Sequence, residues 1–99
     1  MPYSIEDVDG CFRSYLAGRE DLTREERVRL YSFLDVLREH GDDYRNDPGR
    51  RCGPGSANFI VRFLLMGSGG KVRAFDLVVN DAGATYGVLR IVYVDEVGR

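Results

Sequence analysis

The chain has 99 residues, with 14 lysines and arginines against 16 aspartates and glutamates, a formal charge of −2 and a hydrophobic content of 43 %. That length supports one core and one domain, 1–99, the composition excludes global disorder, and the charge excludes a molecule-wide basic field, so a polyanion site would have to be a local patch. Cys11 and Cys52 match neither a disulfide framework nor a zinc spacing, the single His40 excludes a multi-histidine metal centre, and no cofactor is implied.

Ser4 followed by Asp7 is an N-cap signal, and Ile5, Val8, Phe12, Tyr15 and Leu16 then recur at helical spacing. The spacing predicts helix one from about residue 5 to Ala17, stopping at Gly18. Cys11 inside it reads as a small buried hydrophobe. Thr23 and Glu26 form a capping box ahead of Leu30, Phe33, Leu34 and Leu37, which fall at i, i+3, i+4 and i+7 and make a core-facing stripe. Helix two is expected to end with His40 in its last turn and Gly41 as its C′ residue, closing a helical hairpin over 4–41.

Residues 42–58 hold two prolines and three glycines without periodicity and predict a basic irregular loop. Beyond it, apolar runs 59–66, 71–79 and 85–94 are separated by glycine turns, which predicts a three-stranded antiparallel meander within 59–96. The fold class expected is therefore α+β, two N-terminal helices packed on that meander. Acids are concentrated in residues 1–49, whereas 50–99 carry Arg50, Arg51, Arg62, Lys71, Arg73, Arg90 and Arg99 against Asp76, Asp81, Asp95 and Glu96.

Strand parity places the candidate site. If Met66 pairs with Lys71, then Phe59, Val61, Phe63 and Leu65 share the core face with Val72, Ala74 and Val78, and Arg62 and Arg73 emerge together on the other face beside Phe75. The third strand has two registers, one adding Arg90 to that face and the other adding Leu89, Ile91 and Tyr93. Such arginines beside an aromatic could bind a phosphate-bearing chain, with Arg45, Arg50, Arg51 and Lys71 extending the surface. The plainer alternative, which composition favours, is that the arginines pair with Asp76, Asp95 or Glu96 and lay their stems on apolar surface.

Asp35-Val36-Leu37-Arg38-Glu39-His40-Gly41, the irregular loop, Phe59-Ile60-Val61-Arg62-Phe63, and Gly69-Gly70-Lys71-Val72-Arg73-Ala74-Phe75 follow one another in an order that resembles the RelE/HigB/ParE superfamily of toxins of type II toxin–antitoxin systems. The likeness is to the phage-derived HigB-like branch and covers roughly residues 7–94, with Asp7 to Arg29 similar to the family's first helix and the start of its second. It implies a RelE-like fold, whose strand ahead of helix one would have to come from residues 1–4. It also implies a metal-independent endoribonuclease acting on translated mRNA at the ribosome, with a cognate antitoxin as partner. On that resemblance Arg62 and Arg73 would hold and neutralise the scissile phosphate. Arg90 or Tyr93 would stand where a last-strand catalytic residue lies, with Tyr93 the candidate for proton transfer.

The other class is a non-enzymatic protein-binding or inhibitor module, phage-type or regulatory. It would dock a partner, or a second copy as a homodimer, through a strand edge or an open sheet face carrying Leu64, Phe75, Leu77 and Leu89 or Ile91. No apolar run approaches the ~18 residues that span a bilayer and no charged leader precedes one, so a cytoplasmic, thiol-reduced protein without membrane contact is expected.

Overall fold

A computed structural model describes residues 2–98. In chain order the elements are β1 (Ser4–Asp7), α1 (Cys11–Ala17), α2 (Arg24–Arg45), β2 (Asn58–Met66), β3 (Val72–Asn80) and β4 (Val88–Glu96). The class is α+β, as the pattern predicts, but the sheet has four strands in the order β1-β4-β3-β2 and is mixed. β2, β3 and β4 form the antiparallel meander, while β1 lies parallel to β4 with Ile5 beside Leu89.

β1 replaces the expected start of helix one. Four residues with two acids carry no strand signal of their own, and only pairing with a segment more than eighty residues away makes them extended. Of the proposed strand at residues 1–4, Ser4 belongs to β1 and Met1 lies outside the described residues. The N-cap Ser4 signal is displaced with it. The carboxylate of Asp7 instead accepts the N–H groups of Phe12 (2.8 Å) and Arg13 (3.0 Å), reaching over a tight turn to supply the missing partners of the first turn of α1.

The capping box at α2 forms as read: the Glu26 N–H donates to Thr23 Oγ1 at 3.1 Å and the Thr23 N–H to Glu26 Oε1 at 2.9 Å. Leu30, Phe33 and Leu37 are buried from α2, with Phe12 and Leu16 from α1, against one face of the sheet. Each such side chain contributes about 1.5–3 kcal/mol by leaving water.

α2 does not end at Gly41. It kinks at His40 (φ −118°, ψ 17°) and runs on to Arg45, so the irregular loop is shorter than expected. Gly41 is there for space: a methyl on its Cα would lie 2.7 Å from Leu89 Cδ1 and 3.0 Å from Tyr3 Cδ2.

The turn between β2 and β3 decides the faces of the sheet. Gly67 N–H donates to the Lys71 carbonyl at 2.6 Å, with Gly69 and Gly70 both at φ 77°, so Met66 pairs with Val72 rather than Lys71. That one-residue difference turns β3 over, because strand side chains alternate. Phe75, Leu77 and Val79 join Phe59, Val61 and Leu65 in the core, and Val72, Ala74 and Val78 stand on the far side. In β4, which begins at Val88 and not at residue 85, Ile91 pairs with Val79 and Tyr93 with Val78, leaving Val92 as a bulge. Neither predicted register of the third strand holds along its whole length: Leu89, Ile91 and Val94 are buried while Arg90 and Tyr93 share the opposite face.

Gly41→Ala would normally favour a helix by about 1 kcal/mol, but overpacking against the fully buried Leu89 costs about 1–3 kcal/mol. The expected outcome is a net loss near 1 kcal/mol, read in a thermal melt as a fall of roughly 4–8 °C. A Tm at or above that of the parent would show that Leu89 and Tyr3 make room freely.

Candidate functional site

The turned β3 separates the candidate arginines. Arg73 is paired with Leu65 and sits on the helix side of the sheet, whereas Arg62, Arg90 and Tyr93 are on the open side, so the expected shared face for Arg62 and Arg73 does not exist.

Arg73 is absorbed into an ion-pair cluster at the end of the sheet. Its Nη2 lies 2.7 Å from both Asp21 Oδ2 and Glu96 Oε1, and its Nε lies 2.9 Å from Glu96 Oε2. Arg19 completes the ring, 2.9 Å from Asp21 and 2.5 Å from Glu96, and donates to the Tyr15 hydroxyl. Both guanidinium groups lie over the Phe75 ring, and Arg27 ties the turn further by donating to the carbonyls of Arg19 (2.5 Å) and Leu16 (3.2 Å). Two cations and two carboxylates balance, so a phosphate would have to displace Glu96 or Asp21 to reach Arg73. The Arg73 guanidinium, seconded by Arg19 and opposed by burial, pulls the Glu96 carboxyl down to about 2. The cluster fastens β3 and the end of β4 to the α1–α2 turn.

On the open side Arg62 is held by Asp76 through two contacts, Nε to Oδ1 at 2.9 Å and Nη2 to Oδ2 at 3.1 Å. Arg90 lies 3.4 Å from Glu6. Arg90 and Arg62 are also far apart: Arg90 shares a cross-strand row with Asn80 and Asn58, four residues along β2 from Arg62, about 14 Å at strand rise. The pairings offered as the plainer alternative, with Asp76 and Glu96, are thus the ones that form.

The loop arginines are likewise engaged. Arg51 Nη2 and Arg45 Nε converge on Asp81 Oδ2 at 2.6 and 3.2 Å, and although burial pushes the Asp81 carboxyl up, the two guanidinium groups outweigh it and hold it low. Arg51 also donates to the Arg45 carbonyl at 2.6 Å, closing the loop onto the end of α2. Arg50 lies 3.2 Å from Asp47 and over the Tyr44 ring. Arg50, Arg51 and Arg62 do meet around one shallow cleft with Ile60 and Asp76. Lys71 lines a different cleft, beside Asp21, Glu26 and Arg73.

What remains uncovered is apolar. Both helices pack on one face, and on the other Ile60, Leu64, Met66, Val72, Val92 and Tyr93 are exposed, Leu64 at 62 % and Val72 at 59 %. Phe75, Leu77, Leu89 and Ile91, expected there, are in the core instead. The missed residues Arg19 and Asp21 had a weak signal, a charged pair in the short connection between two amphipathic helices, but nothing local ties them to Glu96.

Among the described residues, no group of His, Cys, Asp and Glu could hold a metal ion, and no helix is long and apolar enough to cross a membrane. No protein-family model, curated protein or solved structure matches the chain at a significant level.

Glu96 titrates at about 2 in the fold against 4.5 for the free group, so its contribution is complete above about pH 4.5 and is lost as pH falls toward 2. At about 1.4 kcal/mol per unit, Glu96→Gln should cost on the order of 3 kcal/mol near pH 7 and flatten the acid limb below pH 4.5 in urea denaturation. Parallel acid limbs in parent and variant would contradict the clamp.

Proposed function

We propose that this protein is a non-catalytic binding module that docks another protein on the open face of its sheet. The observation that carries the reading is the contrast between the two sides. The helix-covered side buries Phe59 and Phe75 and half-buries its one strand arginine, Arg73, while the other side leaves six large apolar side chains in water on three adjacent strands. Scattered exposed apolar residues are ordinary on soluble proteins, but apolar groups gathered on one sheet face, here on either side of the charged row Arg62, Asp76 and Asp95, are a usual mark of an interaction surface. The arginines do not compete with this use, since Arg62 and Arg90 are already engaged by Asp76 and Glu6 within the same face.

A second reading, a RelE/HigB-like ribonuclease relative with an antitoxin as its partner, has two observations in its favour. A strand precedes the helices, and Arg50, Arg51 and Arg62 border one cleft. Under it Arg62 would hold the phosphate and Tyr93, 57 % exposed on the same face, would handle the proton, with mRNA on the ribosome as substrate. It lacks Arg73, which is on the other side of the sheet.

A photo-crosslinking residue at Val72 should capture a protein in the native cell, while the same residue at Val28, equally exposed on α2, should not. Equal capture at both, or none at Val72, contradicts the docking reading. Expression of the intact chain in a bacterium should leave growth unchanged; arrest relieved by Arg62→Ala would carry the second reading instead.

A further inference from the structure

The open face is not electrically neutral. It bears Glu6, Asp76 and Asp95 against Arg62 and Arg90; the pairs Arg62–Asp76 and Arg90–Glu6 use both cations, and Arg50 and Arg51 at its rim are held by Asp47 and Asp81. Asp95 stands directly across from Asp76 in the β3–β4 ladder, is exposed, and among the described residues its carboxylate accepts only the N–H of Glu96. Like charges opposite one another weaken a sheet, so one uncompensated carboxylate lies within a surface of Ile60, Leu64, Val78 and Tyr93.

This charge selects among occupants. Covering a carboxylate without a counter-ion is costly, and a second copy laid face to face would bring two such groups into one interface with no spare cation. An added strand at the β2 edge is also disfavoured. The outward carbonyl of Asn58 already accepts from the Cys52 N–H (3.0 Å) and that of Met66 from Arg29 Nη1 (3.2 Å), so both ends of the edge are taken. What fits is a body lying across the strands. Around Asp95, beyond the reach of β1, three strands at about 4.8 Å spacing give a face some 10 Å wide, which takes one helix of about 10 Å diameter.

Resting on the docking reading, we infer that the open face receives an amphipathic helix of another protein whose apolar stripe carries one arginine or lysine placed to meet Asp95. An arginine suits the position best. Its stem covers Val78 or Leu64 while its fork reaches a carboxylate, and Asp76, whose Arg62 partner is exposed, lies next to the target. The bound helix would make the second outer layer over a sheet that now has helices on one side.

The test uses two synthetic helical peptides, leucine- and alanine-rich amphipaths identical except for one central residue, arginine in the first and glutamate in the second. Titrated calorimetrically into the full chain, the arginine peptide should bind at least about tenfold more tightly. Asp95→Asn should bring the two affinities together, and Leu64→Glu should abolish binding of both; each site is exposed, so neither variant disturbs the core. Equal affinities in the parent, or a preference that survives Asp95→Asn, overturns the charge inference and leaves docking standing. Binding of neither peptide overturns the inference too, and docking is then decided by the Val72 cross-link alone. A concentration-dependent dimer in sedimentation that Leu64→Glu dissolves overturns it in favour of a second copy.

Discussion

The pairing of Met66 with Val72 is the constraint on which the rest of the molecule depends. It is set by the turn through Gly67, where one backbone hydrogen bond to Lys71 and two consecutive glycines with positive φ hold five residues between the strands. With four residues there, every side chain of β3 would exchange faces. Phe75 and Leu77 would leave the core and Arg73 would leave the ion-pair cluster. The observed turn buries the two largest apolar groups of β3 and brings Arg73 within reach of Glu96 and Asp21.

The same constraint explains how an arginine-bearing sheet exists without a cationic face. Each strand arginine has a carboxylate nearby: Arg62 has Asp76 across the β2–β3 ladder, Arg90 has Glu6 across the parallel β1–β4 ladder, and Arg73 has Glu96 on the same side of β4. The pairs differ in consequence. Arg62 and Arg90 are largely in water, where such pairs contribute little, whereas the Arg73 cluster is shielded by Phe75 and Tyr15 and joins three separate chain segments. The first two pairs decorate a surface and the third closes the fold.

What was legible in the amino-acid sequence follows from how local each signal is. The capping box of α2 and its stripe Leu30, Phe33, Leu37 are contained within a few turns, and they form as read. The three apolar strands and their order were readable from glycine turns flanking β-branched runs. β1 was not, because Ser4–Asp7 is a strand only through a partner at the other end of the chain. Nor was the extension of α2 past Gly41, since a glycine that stops one helix serves here to let Tyr3 and Leu89 approach another. The candidate site failed at a single-residue ambiguity in turn length. The bulge at Val92, invisible to a strict alternation, then let Arg90 and Tyr93 share a face that alternation keeps apart.

The proposed docking surface is an open face of largely aliphatic side chains with one carboxylate that no cation answers among the described residues, opposite a face covered by two helices and an ion-pair clamp. That account rests on the orientation of β3, and proton NMR reads it directly. In an antiparallel ladder, residues of non-hydrogen-bonded pairs bring their Hα atoms together, and Leu64–Ala74 and Arg62–Asp76 are such pairs here, lying an odd number of residues from the hydrogen-bonded Gly67–Lys71 pair. Strong Hα–Hα cross-peaks between Leu64 and Ala74 and between Arg62 and Asp76 are predicted. Cross-peaks that instead join Leu64 to Arg73 and Arg62 to Phe75 would place Arg62 and Arg73 on one face and contradict the account.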